Sequence, residues 1–145
     1  MYLVDTNVVS AGAPSRLATP ALVAWMDAHS ALVFLSVVTV AEIEDGIARL
    51  RREGAARKSR NLAAWLETVL HLYGDRILAF DTATARIAGV LSDAARGRGH
   101  APGFADVIIA ATARHHGLTV LSRNVRHFMP LGVPVLDPFT ALPPE

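Results

Sequence analysis

Short apolar runs alternate along this chain with longer stretches in which apolar positions recur every third or fourth residue. The first run, Tyr2-Leu3-Val4, breaks at Asp5 and is followed by Thr6 and Asn7. An apolar run bounded by polar residues predicts a buried strand. Thr6 and Asn7 then open a short helix, which the Gly12-Ala13-Pro14-Ser15 turn ends. Thr19-Pro20 pairs a capping residue with proline at the first helical position, and the helix it starts runs through Leu22, Val23 and Trp25 to about His29. Leu32-Val33-Phe34-Leu35 predicts a second strand. Ser36 caps a third helix, in which Val40, Ile43, Ile47 and Leu50 keep a helical period until Gly54 stops it. Residues 58–73 predict a fourth helix, with Leu62, Trp65, Leu66, Val69 and Leu72 on one face. These two helices form a hairpin.

Ile77-Leu78-Ala79-Phe80 predicts a third strand, and Asp81 caps a helix carrying Ile87, Val90, Leu91 and Ala94. Residues 103–113 form an alanine-rich helix with a single acid, Asp106, in its first turn. Leu118-Thr119-Val120-Leu121 predicts a fourth strand, ending in Ser122-Arg123-Asn124. A short turn through His127 and Phe128 leads to Val133-Pro134-Val135-Leu136, an edge strand by its proline. Residues 138–145 are expected to be loosely ordered. Strands that alternate with helices specify an α/β fold, here a parallel sheet of four to five strands flanked by helices. Residues 1–145 are expected to make one domain.

Composition narrows the chemistry. Cysteine is absent, which excludes disulfides and thiolate metal sites. No apolar run approaches the ~20 residues of a membrane span. The N-terminus lacks a basic stretch and a signal-like cleavage site, so the cytoplasm is the expected compartment. A net charge of +1 does not announce a nucleic-acid binder. The distribution says more: Lys58 is the sole lysine among 14 basic residues, and arginines cluster at Arg49, Arg51 and Arg52 and again at Arg114, Arg123 and Arg126. The planar fork of arginine suits phosphate. Arg96-Gly97-Arg98-Gly99-His100 is basic and glycine-rich but lacks the P-loop pattern.

Right-handed crossovers place all strand ends that precede helices on one edge of the sheet. Asp5, Glu42, Asp106 and Asn124 each follow a strand or lie early in a helix, so all four can converge there. Asp5 also suits a helix cap, and Asp106 a helix dipole. Asp81 is assigned to capping. Glu42 shares a flanking stripe with Thr39 and Gly46, beside the apolar stripe of its helix. Asp106 stands in so apolar a segment that its carboxylate requires a partner or a metal. His115 and His116 are adjacent and point in different directions on a helix, which argues against a histidine site. An all-oxygen donor set suits a hard cation, Mg²⁺ or Mn²⁺.

Four stretches carry a resemblance: Leu3-Val4-Asp5-Thr6-Asn7, residues 36–42, residues 105–113 and Val120-Leu121-Ser122-Arg123-Asn124. In order and spacing the chain resembles PIN-domain proteins of the VapC/FitB toxin type over nearly its whole length. The resemblance implies a Mg²⁺-dependent endoribonuclease, the toxin of a type II toxin–antitoxin pair. It implies a homodimer and an antitoxin whose C-terminal segment blocks the cleft, with operator DNA contacted only through that antitoxin. Asp5, Glu42 and Asp106 would form the acidic metal site, with Asn124 as a fourth catalytic position and Thr6 in support. The pattern departs at Asn124, where many relatives carry an acid. Arg123 and Arg126, beside Asn124, are the nearest candidates for RNA phosphates.

Other readings fit less of the chain. A haloacid-dehalogenase-type phosphatase wants a second aspartate where Asn7 stands. A receiver-type domain wants a lysine at a late strand end, whereas Lys58 lies in a helix. A non-catalytic module that keeps the fold and binds an antitoxin leaves three carboxylates unexplained. A PIN nuclease of general RNA processing is disfavoured by the lack of a further domain in the sequence.

Overall fold

The computed structural model describes residues 1–14 and 19–145; Ser15, assigned to the turn after the first helix, lies outside them. The elements are β1 (Tyr2–Val4), α1 (Thr6–Val9), α2 (Pro20–Ala28), β2 (Val33–Ser36), α3 (Val37–Arg52), α4 (Ala56–Tyr73), β3 (Ile77–Leu78), α5 (Thr82–Gly97), α6 (Phe104–His116), β4 (Thr119–Leu121), α7 (Val125–Phe128) and β5 (Val135–Leu136). All pairings are parallel, in the order β3-β2-β1-β4-β5. Tyr2 sits opposite Val33 on one side and Thr119 on the other, so β1 is the central strand.

Alternation along the strands builds a core on each face of the sheet. Tyr2, Val4, Val33, Leu35 and Leu121 pack with α2, α3 and α4. Leu3 and Val120 pack on the other face against Ala88, Leu91, Ile109, Ala110 and Phe128 from α5, α6 and α7. The chain winds outward from β1 through β2 to β3, then returns to place β4 on the opposite side of β1. The winding therefore reverses between β1 and β4. At such a switch point the following loops diverge to opposite faces and leave a crevice beyond the strand ends. Asp5 and Ser122 are the first residues past those two ends.

Most expected elements are present, with differences that have physical causes. The hairpin of α3 and α4 forms, and Gly54, at φ +82°, turns the chain between them. Its α4 face is mainly core: Leu66 and Val69 are buried and Leu62 and Trp65 pack half-buried against them, while Leu72 is 63% exposed. On α5 the buried stripe is Thr84, Ala88, Leu91 and Ala95, and Val90 is 68% exposed. The Asp81 cap, which accepts from the Thr84 N–H and hydroxyl, sets that phase, and small alanines allow close packing on the alanine-rich α6. Only Ile77 and Leu78 of the third run pair with β2. The C-terminal tail is not loose. Pro138 and Pro143 are buried, Phe139 packs on the core, and the Tyr2 hydroxyl donates to the Pro144 carbonyl at 2.7 Å.

Candidate active site

Asp5 is 5% exposed at the end of β1, and its N–H continues the ladder to the Leu121 carbonyl at 2.9 Å. Its Oδ1 accepts from Thr6 N at 2.8 Å, capping α1. Its Oδ2 accepts from Ser122 Oγ at 2.7 Å and from Asn7 Nδ2 at 3.2 Å. An ionised carboxylate offers about four lone-pair positions. Three donors therefore hold Asp5 in place at the wall of the crevice. Helix cap and candidate ligand are the same group here.

Ser122 joins the two strand ends. It is fully buried; its hydroxyl donates to Asp5 and accepts from Asn124 N at 2.9 Å and from Asn7 Nδ2 at 3.4 Å. That uses its single proton and both lone pairs. Asn7 Oδ1 in turn accepts from the Arg123 N–H at 3.2 Å. The Asn124 side chain caps nothing on α7 and faces the crevice.

Glu42 reaches the same crevice from the first half of α3. Its Oε1 accepts from Thr6 Oγ1 at 2.6 Å, and Thr6 Oγ1 lies 3.2 Å from Thr39 Oγ1. Thr6 has one hydroxyl proton, which goes to the carboxylate at the shorter distance. Thr39 and Glu42 thus share one contact, as their common stripe requires. Asp106, half-buried in the first turn of α6, has Oδ2 3.2 Å from His127 Nδ1. Burial raises the Asp106 pKa above the ordinary carboxylate value, the Asp5 charge raises it further, and His127 partly offsets both.

The crevice has a volume of about 620 Å³ and is lined by Asp5, Thr6, Glu42, Asp106, Arg123 and Asn124, among others. The four strand-edge positions expected to converge do so. Arg123 is fixed on its wall, the guanidinium carbon 3.8 Å from the centre of the Phe139 ring. Arg126 does not line this crevice. It opens onto an adjoining groove on the other side of Asp106, with His100 and His127. Four contributors were not singled out from sequence: Ser122, Asn7, His127 and Phe139.

Among the described residues no three acidic or histidine side chains already close into a tight cage. Glu42 leans on Thr6 and Asp106 on His127. The donor chemistry nevertheless fits a hard divalent cation. It is all oxygen, one candidate ligand is held in place, and a second carboxyl has its proton affinity raised by burial and, further, by the charge of the first. A cation relieves that like-charge strain.

Fold and site together define a parallel α/β protein with an acidic, oxygen-lined crevice at the switch point of its sheet. The PIN domain family model matches residues 2–128, and the chain belongs to that family. It is 38% identical to Toxin FitB of Neisseria gonorrhoeae, over 96% of this chain and 99% of that protein. It is 34% identical to VapC ribonuclease Y4jK of Sinorhizobium fredii, over 96% and 98% respectively. The crystal structure of FitAcB from Neisseria gonorrhoeae superposes with a TM-score of 0.83 at 38% identity, covering 96% of this chain and 99% of that one.

Proposed function

We propose that the chain is a divalent-metal-dependent endoribonuclease, the toxin of a type II toxin–antitoxin pair, working in the cytoplasm as a single PIN domain over residues 1–145. The observation that carries this reading is the convergence of Asp5, Glu42 and Asp106 on one crevice, in a chain similar throughout to a VapC ribonuclease. The three carboxylates hold Mg²⁺, or Mn²⁺, with Asp5 as the fixed ligand. Glu42 and Asp106 each carry one contact, to Thr6 and His127, with which the cation competes. When bound, the metal supplies Lewis-acid stabilisation for in-line hydrolysis of a phosphodiester.

The other residues position the substrate. Arg123, braced on Phe139, presents its guanidinium to a non-bridging phosphate oxygen at the crevice, and Arg126 takes a neighbouring phosphate one groove away. Asn124 offers an amide oxygen without adding charge. Similarity to a protein named a toxin supports a restraining antitoxin partner. The same resemblance supports a homodimer, and contact with operator DNA only through the antitoxin. No described helix is long and apolar enough to cross a membrane.

The test is cleavage of cellular RNA by the purified chain with Mg²⁺, compared with Asp5→Asn, Glu42→Gln and Asp106→Asn. Each folded variant should lose cleavage. A folded triple variant that cuts RNA as fast as wild type refutes the assignment.

A further inference from the structure

Three carboxylates and an arginine share the acidic crevice: Asp5, Glu42, Asp106 and Arg123. A guanidinium among carboxylates ordinarily closes a bidentate ion pair with one of them. Arg123 does not. Among the described residues none of the three acids lies within ion-pair distance of it, although it is exposed. Each acid has other partners: Thr6, Ser122 and Asn7 for Asp5, Thr6 for Glu42, and His127 for Asp106. The Arg123 guanidinium carbon instead stands 3.8 Å from the centre of the Phe139 ring. A ring face draws a cation through its quadrupole, and the flat fork of arginine stacks there with its N–H groups still free to donate.

The C-terminal tail gives that ring a fixed place. Asp137 Oδ1 accepts from Phe139 N at 2.9 Å, and the Asp137 carbonyl accepts from Thr140 Oγ1 at 2.9 Å, closing the turn on which Phe139 sits. Pro138 and Pro143 are buried on either side of it, and the Tyr2 hydroxyl holds the Pro144 carbonyl. The ring itself packs half-buried on the core. On the arginine side the tie is to the backbone, from the Arg123 N–H to Asn7 Oδ1 at 3.2 Å. The ring is thus what places the guanidinium. Its position has consequences for two charges at once. A guanidinium paired with Glu42 or Asp106 would neutralise a group that a cation needs and consume donors that a phosphate needs.

We propose that Phe139 is a positioning residue: its ring holds the Arg123 guanidinium off the three carboxylates, and so keeps the acids open to a divalent cation and the guanidinium open to a phosphate. This rests on the metal-dependent reading above.

The experiment titrates the full chain, without RNA, with Mn²⁺, and follows the free ion by its electron paramagnetic resonance signal. Phe139→Leu keeps an apolar side chain on the core and removes the ring face. It should bind Mn²⁺ about fivefold more weakly than wild type, the upper end of what an exposed ion pair contributes. Phe139→Tyr, which keeps the ring, should bind as wild type does. When Phe139→Leu is combined with Arg123→Gln no guanidinium is left to pair, and affinity should return at least to that of wild type. Arg123→Lys, with Phe139 intact, is a second test. Its ammonium lacks the planar fork that stacks, so Mn²⁺ binding should weaken by about threefold. Wild-type affinity in folded Phe139→Leu overturns the proposal. So does a loss that Arg123→Gln leaves in place, which reduces the ring to core packing, and so does an equal loss in Phe139→Tyr. Should Phe139→Leu fail to fold, Arg123→Lys decides, and wild-type affinity there overturns the proposal. If wild type binds Mn²⁺ and the variants match it, the positioning role fails and the metal reading stands. If wild type binds no Mn²⁺, both fail.

Discussion

Ser122 is the sharpest single test of how the crevice is built. Ser122→Ala removes one oxygen from a fully buried position, and with it the 2.7 Å bond to Asp5 Oδ2. A hydrogen bond to a charged group contributes about 1.5–3 kcal/mol. The variant leaves only a small void, and exposed Asn124 can give its freed N–H to water. The expected loss is therefore about 2 kcal/mol, or roughly a 6–8 °C drop in Tm for a chain of this size. Urea unfolding of metal-free protein measures it. The decisive comparison is a double-mutant cycle with Asp5→Asn. Without the charge, and with an amide that can turn its NH₂ toward Ser122, the serine no longer makes a charge-assisted bond. Ser122→Ala should then cost well under half as much, a coupling of about 1 kcal/mol or more. Equal costs in both backgrounds, within about 0.3 kcal/mol, refute the claim that Ser122 acts by holding Asp5.

Two further predictions concern Asp106 and Asn124. Burial and the Asp5 charge raise the Asp106 carboxyl above its ordinary 3.8, so the folded chain binds that proton more tightly than the unfolded one does. The cost of ionising it is full above the raised value, shrinks as pH falls through it, and is gone below 3.8. Asp106→Asn should therefore stabilise metal-free protein most at neutral pH, and its urea midpoint should converge with wild type in acid; a gap that widens toward acid refutes this. Asn124→Asp should shift the Mg²⁺ dependence of cleavage to lower concentration, because a hard cation gains a charged oxygen, whereas Asn124→Ala should weaken cleavage less than Asp5→Asn does. Superimposable Mg²⁺ titrations of wild type and Asn124→Asp remove Asn124 from the metal's surroundings.

The sheet and the converging acids were legible because they depend on local patterns. Apolar runs ending in Asp5 and Ser122 mark strand ends, and handed crossovers then bring those ends together. The phase of α5 was not legible, since Val90 is as apolar as Leu91 and only the cap at Asp81 and the facing alanines of α6 decide which turns inward. The tail read as loose because prolines there offer no period. Its order comes from Phe139 settling on the core, with Pro143 buried, and from a bond to Tyr2 at the other end of the chain. The bond from Ser122 to Asp5 was not legible for a related reason. A buried serine carries no pattern of its own, and its role exists only once β4 lies beside β1.

Capping and a candidate ligand role at Asp5 looked like competing explanations of one residue, but the geometry makes them compatible. A cap needs the carboxylate turned back to the helix N-terminus, which fixes Oδ1 on Thr6. The switch point sends β4 past the same place, so Ser122 and Asn7 fix Oδ2. A carboxylate held at both oxygens is thereby fixed at the wall of the crevice beyond the sheet edge. The helix that Asp5 caps is only four residues long, Thr6–Val9, too short for its propensity to order it alone. Capping is thus part of what places Thr6, and through Thr6 Oγ1 the Glu42 carboxylate. Asp5 governs the crevice twice over, once as a candidate ligand and once as the anchor of the residue that steadies the second acid. Asp106, tied among the described residues to His127 alone, is left as the acid whose position a bound cation would alter most.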